Sequence, residues 1–135
     1  MQKLFIPINQ GNVHWVLVVV DMNGGGSGGG GSGSSSAKMV SFFDSFGREG
    51  TTYVEAVQQY LVSELSSRDK TRQELFAPRA RPPANAPRQH NSSDCGVIML
   101  HVMEELSTGP ASELTRLTQE EVMSLRLQLV AKIRE

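Results

Sequence analysis

The first clear apolar run in the chain is VHWVLVVVD, residues 13 to 21. Its short length and β-branched content predict a largely buried strand rather than a helix. Apolar positions return at KMVSFFDSFG, residues 38 to 47, which predicts a second strand ending in a turn at Gly47. Between the two, residues 24 to 36 read GGGSGGGGSGSSS and hold eight of the thirteen glycines, with no side chain that can pack. That is the composition of a flexible, disordered coil, whether native insertion or linker. The strands are therefore expected to pair as an antiparallel hairpin with this tract at its tip. Closing the hairpin with Asp21 against Ala37 fixes the sum of paired residue numbers and places His14 opposite Asp44.

Downstream the period changes. Residues 52 to 66, TYVEAVQQYLVSELS, put Val54, Val57, Leu61 and Leu65 on one stripe, which predicts an amphipathic helix over one sheet face. Residues 77 to 91 contain Pro78, Pro82, Pro83 and Pro87 and are expected to form an extended, exposed connection without a regular element. From Cys95 to Leu106 apolar residues cover most of a helix circumference, which predicts a buried central helix capped by Asp94 or a neighbouring serine. Gly109 and Pro110 end it. A last helix is expected from the capping box Thr118 to Glu121, with Val122, Leu125, Leu129 and Ile133 as its apolar stripe. Together these elements predict a small α+β domain.

Composition narrows the function classes. With 135 residues and 39% apolar content the chain can bury one modest core, and its net charge of −1 offers no basic surface for nucleic acid. A single cysteine cannot form an internal disulfide, no run is long enough to span a membrane, and the N-terminus lacks the apolar centre of a secretory signal. The chain reads as intracellular, with no membrane or nucleic-acid partner. One cysteine and three scattered histidines form no metal-ligand cluster, so neither a metal nor a cofactor is implied.

The lone cysteine, Cys95, is the chemical question. Free cysteines are commonly small buried hydrophobes. At the first turn of a helix, however, unsatisfied N–H groups and the positive dipole end favour thiolate over thiol. A thiolate nucleophile also needs a histidine. His101 lies six residues along the same helix, about 9 Å down its axis, and is out of reach. His90 is close in sequence, and His14 sits on the buried strand where Asp44 can orient its ring; Asp21, about 23 Å along the strand, cannot. Spacing alone leaves both histidines open. It fits a Cys-His-Asp triad and a core histidine beside a turn aspartate about equally well.

The set HWVLVVVD, FFDSFG and QHNSSDCGVIML resembles the motifs of the ubiquitin-like protein proteases, the SUMO-deconjugating cysteine peptidases. The resemblance rests on His14 with Trp15, on Asp44 in DSFG, and on Gln89 ahead of Asp94-Cys95-Gly96; TQEEVMSLRLQLVAKI is similar to the family's last helix. It implies a papain-like cysteine protease fold of the ubiquitin-like protease type. Residues 1 to 135 would form the C-terminal part of its catalytic domain, truncated at the N-terminus and beginning almost at the histidine strand.

The resemblance also implies roles. Cys95 would attack the carbonyl of a modifier's C-terminal glycine, His14 would activate the thiol, and Asp44 would hold the imidazole. Gln89 would donate to the oxyanion, and Trp15, by default a core anchor, would roof a channel for a Gly-Gly tail. The implied reaction is isopeptide or peptide hydrolysis by a monomeric enzyme on SUMO or a related ubiquitin-like modifier, in nucleus or cytoplasm. A deneddylase, an acetyl-transferring relative and a silent remnant that only binds a modifier stand as alternatives.

Overall fold

The computed structural model describes residues 2–23, 38–69 and 76–135. The Gly/Ser tract of residues 24 to 36 lies outside them. Among the described residues, four strands form one sheet in the order β1-β2-β3-β4: β1 (Lys3–Gln10), β2 (His14–Asp21), β3 (Lys38–Phe43) and β4 (Phe76–Arg79). The helices are α1 (Thr51–Arg68), α2 (Cys95–Thr108) and α3 (Gln119–Arg134), with a single 3-10 turn at Ala111–Glu113. This is the expected α+β class.

β2 is the centre of the molecule because its side chains alternate between two apolar layers. Val16, Val18 and Val20 join Val40, Phe42 and Val54 under α1, where Val57, Leu61 and Leu65 complete the predicted stripe. Leu17 and Val19 face the other way and pack with Phe43, Val97, Ile98 and Val102 under α2. Burying each such side chain stabilises the fold by about 1.5–3 kcal/mol. The cores therefore pin α1 and α2 to opposite faces of one strand.

Two strands arise where no element was expected. β1 pairs antiparallel with β2 through a tight turn at Gly11 and Asn12, both with positive φ, which suits the twist of a short hairpin. β4 falls inside the proline-rich stretch and pairs parallel with β3, with α1 as the crossover that parallel neighbours require. Both are edge strands, and each holds one proline, Pro7 and Pro78. Edge strands tolerate proline because one side of their backbone lacks a ladder partner. The stretch from 77 to 91 is also less exposed than its prolines suggest, since Ala86, Pro87 and Gln89 are buried.

The hairpin of β2 and β3 forms, but in another register. Leu17 pairs with Phe43 and Asp21 with Met39, a shift of two residues from the expected closure. An even shift keeps every side chain on its face, so the apolar pattern fixes the parity of a register but not its value. In the observed register His14 and Asp44 are not ladder partners.

The helices carry smaller corrections. Leu100 of α2 is exposed, so that helix is buried on one side rather than all round. Ile133 at the end of α3 is 84% exposed, while Val122 is buried and Leu125 and Leu129 pack on the α2 core. α2 stops at Gly109 as expected, and its C-terminal carbonyls receive Lys3: Nζ donates to the carbonyls of Leu106 and Gly109, both at 2.8 Å. Among the described residues no helix is long and apolar enough to cross a membrane.

Candidate active site

The site residues come together where β2, β3 and α2 meet. β3 ends at Phe43, and the chain turns through Asp44 to Gly47, closed by a bond from the Gly47 N–H to the Asp44 carbonyl at 2.8 Å. Gly47 has φ +75°, a left-handed backbone conformation that favours glycine, and a Cβ there would also displace the end of the Arg88 side chain. The turn folds Asp44 back toward the start of β2. There His14 Nε2 donates to Asp44 Oδ1 at 2.8 Å, with both side chains buried.

The remaining capacity of the Asp44 carboxylate is filled. Oδ1 also accepts the Phe46 N–H at 2.8 Å, and Oδ2 accepts Arg48 Nε at 3.0 Å. Phe46 stacks on the His14 ring with centroids 4.9 Å apart, and the Arg48 guanidinium lies over the other aromatic at 5.1 Å. A carboxylate bonded to the imidazole fixes both its orientation and its tautomer. With Nε2 committed to Asp44, Nδ1 is the nitrogen left to exchange a proton.

Cys95 is the first residue of α2, is buried, and is unpaired with any other cysteine. It lines a cavity with Trp15, Asp44, Ser45, Pro87 and Met99. Trp15 is 38% exposed and lies against Gly96, where an added Cβ would sit 3.5 Å from Cδ1. This tryptophan is thus a wall beside the cysteine more than a core anchor. A Cβ at position 96 would meet that wall at ordinary van der Waals distance.

Gln89 is buried, and its amide is fixed at both ends: Oε1 accepts from Ser45 Oγ, and Nε2 donates to the Asn91 carbonyl at 2.5 Å. The Gln89 N–H also donates to the Ser45 carbonyl at 3.0 Å. The Asp44 turn and the loop before Cys95 are therefore tied directly to each other. Arg88 adds a longer bond, 3.4 Å, to the Asp44 carbonyl.

The structure separates the other candidates from this group. His90 is exposed, and His101 lies partway down α2 with its Nδ1 buried and unpartnered among the described residues. Asp21 is at the opposite end of β2 and binds the Asn23 N–H at 3.0 Å. Sequence reasoning did not find Ser45, Phe46 or Arg48 as neighbours of the pair. The D-S-F-G-R order contained them, but only the turn shows that each points back at Asp44 or Gln89.

In this mixed α+β fold a buried cysteine at a helix start shares a cavity with Asp44, the aspartate of the buried histidine–aspartate pair. All of residues 1–135 match the model of the Ulp1 protease family, C-terminal catalytic domain, and the chain belongs to that family. It is 27% identical over 130 residues to "Sentrin-specific protease" of Caenorhabditis elegans, covering 96% of this chain and 16% of that protein. It is 29% identical over 109 residues to "Ubiquitin-like-specific protease 1A" of Arabidopsis thaliana, covering 79% and 18%. With human "Sentrin-specific protease 5" the identity is 33% over 98 residues, covering 72% and 11%. The chain thus spans less than a fifth of the length of these curated relatives.

Proposed function

We propose that the chain carries a thiol peptidase centre that hydrolyses the bond after the C-terminal Gly-Gly of SUMO or a related ubiquitin-like modifier. Cys95 is the nucleophile. His14 takes its proton through Nδ1 and returns it to the leaving amine, and Asp44 holds the ring and stabilises the imidazolium. The attack forms a tetrahedral oxyanion, which collapses to an acyl-enzyme that water then hydrolyses.

The Cys95 backbone N–H and Gln89 stabilise that oxyanion. An amide nitrogen has two hydrogens; one is held by the Asn91 carbonyl, and the second is the one offered to substrate. Ser45 on Oε1 supports this orientation because a hydroxyl that donates there selects the oxygen end of the amide. Trp15 bounds the channel and admits only a tail without side chains.

The observation that carries this reading is the buried bond between His14 and Asp44 at the rim of the cavity that Cys95 and Trp15 line. The test is to incubate the chain with SUMO, a Nedd-type modifier and ubiquitin, each ending in a thiol-reactive warhead, and to map the adduct. Labelling of Cys95 by one modifier, lost in His14→Ala, is the expected result and names the substrate. A folded sample that reacts with none of the three would overturn the reading for this chain.

A further inference from the structure

The start of α2 departs from the ordinary rule for helix caps. Asp94 occupies the N-cap, where an aspartate usually turns its carboxylate onto the first-turn N–H groups, yet it makes no such bond. Its carboxylate is drawn aside instead. Oδ2 accepts from Asn91 Nδ2 at 2.7 Å and from Gln119 Nε2 at 2.9 Å, and Oδ1 is ion-paired with Arg126. Arg126 also donates to the Ser93 carbonyl at 3.2 Å. Gln119 and Arg126 both belong to α3, so a distant helix holds the residue next to the cysteine.

We propose that Arg126 is a positioning residue for the Cys95 thiolate: it holds the Asp94 carboxylate off the start of α2 and neutralises it, leaving the first-turn N–H groups and the helix dipole to the sulfur. This rests on the reading of Cys95 as the nucleophile. Several charged and titratable groups bear on that sulfur. Asp44 comes from the turn after β3 with His14 of β2 and Arg48 bonded to its carboxylate and Arg88 to its carbonyl, Asp94 comes from the cap, and Arg126 acts from α3 through Asp94.

A free Asp94 carboxylate would oppose the thiolate twice. It would occupy the N–H groups as an ordinary cap, and it would place a like charge beside the sulfur. Bonds from Arg126 and Gln119 hold its carboxyl below the usual carboxylate range, so its charge is present wherever a thiol titrates.

The chain has one cysteine, so the pH dependence of alkylation by iodoacetamide reads the Cys95 thiolate directly. Arg126→Gln is expected to raise the midpoint by about one unit, while Arg126→Lys leaves it near the wild-type value. Combining Arg126→Gln with Asp94→Asn is expected to return the midpoint to the wild-type value or below. An unchanged midpoint in folded Arg126→Gln, or a rise that persists in the double variant, overturns the proposal. Should Arg126→Gln fail to fold, Asp94→Asn alone decides, because its midpoint is expected at or below the wild-type value and a rise would refute the idea. Iodoacetamide needs no modifier, so failure of the modifier probes would overturn the proposed function without moving this result.

Discussion

The starts of α2 and α3 solve the same problem in opposite ways. At α3 the Thr118 side chain accepts the Glu121 N–H at 3.2 Å, Glu121 Oε2 accepts the Thr118 N–H at 2.7 Å, and Glu120 and Glu121 add negative charge to the first turn. Both halves of a capping box and acidic charge in the first turn are present. At α2 the residue in the equivalent position is as good a cap by type, but its carboxylate is bonded to two residues of the other helix. One start is closed for stability. The other is held open, which is useful only if a group other than Asp94 occupies it.

The contrast predicts that changes to the Asp94 carboxylate and its partners act on reactivity as well as stability, and that changes to the Thr118 cap act on stability alone. The largest effect is expected from Asp44→Asn, which keeps the shape but removes the charge that orients His14. Warhead labelling of Cys95, measured per folded molecule, should slow by about 10²–10⁴-fold. A labelling rate within threefold of wild type would remove the His14–Asp44 pair from the chemistry.

Asp94→Asn addresses the α2 start itself. A carboxylate whose folded pKa is depressed adds stability that is fully present above its unfolded value, near pH 4, and lost as pH falls through the lower folded value. The variant should therefore be less stable than wild type at neutral pH, by about 1–3 kcal/mol for charge-assisted bonds. The deficit should shrink on acidification below about pH 4. Denaturant unfolding at several pH values checks this, and a deficit independent of pH would show that Asp94 is not held as a charge.

Thr118→Ala removes the α3 cap and should cost about 1 kcal/mol in denaturant unfolding. The alkylation midpoint of Cys95 should stay in place, because the open start of α2 does not depend on the Thr118 hydroxyl. A shifted midpoint would mean that the two starts are not separable. The smallest effect is expected at Ile133→Glu, within about 0.5 kcal/mol, since that side chain is almost wholly in solvent. A larger loss would restore Ile133 to the packed stripe.

Much of this molecule was legible because it follows local rules. The valines of β2, the stripe of α1 and the capping box of α3 each appear at a fixed spacing within a few residues. β1 was not legible because Pro7 interrupts its apolar run and polar Asn9 and Gln10 follow at once, and β4 because it is four residues long and contains a proline. The hairpin register failed for a physical reason: moving β3 by two residues leaves the same side chains buried. His14 and Asp44 meet all the same, since the turn at Gly47 and the Phe46 ring bring the carboxylate back to the imidazole.

The site was legible as a set of residue types but not as a network. Nothing near Asp94 in the sequence indicates that Arg126 and Gln119 arrive from 32 and 25 positions away, and cap preferences read locally assign Asp94 to its own helix. Likewise Ser45 gains its role only when the Gln89 loop is laid against it. Contacts made across the chain carry no periodic signature.

The prolines of the two outer strands bear on how the molecule behaves in a crowded solution. β2 contains a run of valines with strong β propensity, the kind of segment that seeds cross-chain sheets when it becomes accessible. It lies between neighbours, and the strands left at the rims, β1 and β4, each lack one N–H donor at Pro7 and Pro78. A second chain laid along either rim would meet a break in the hydrogen-bond ladder. Among the described residues, the sheet that carries His14 thus has edges poorly suited to act as a template for fibrils.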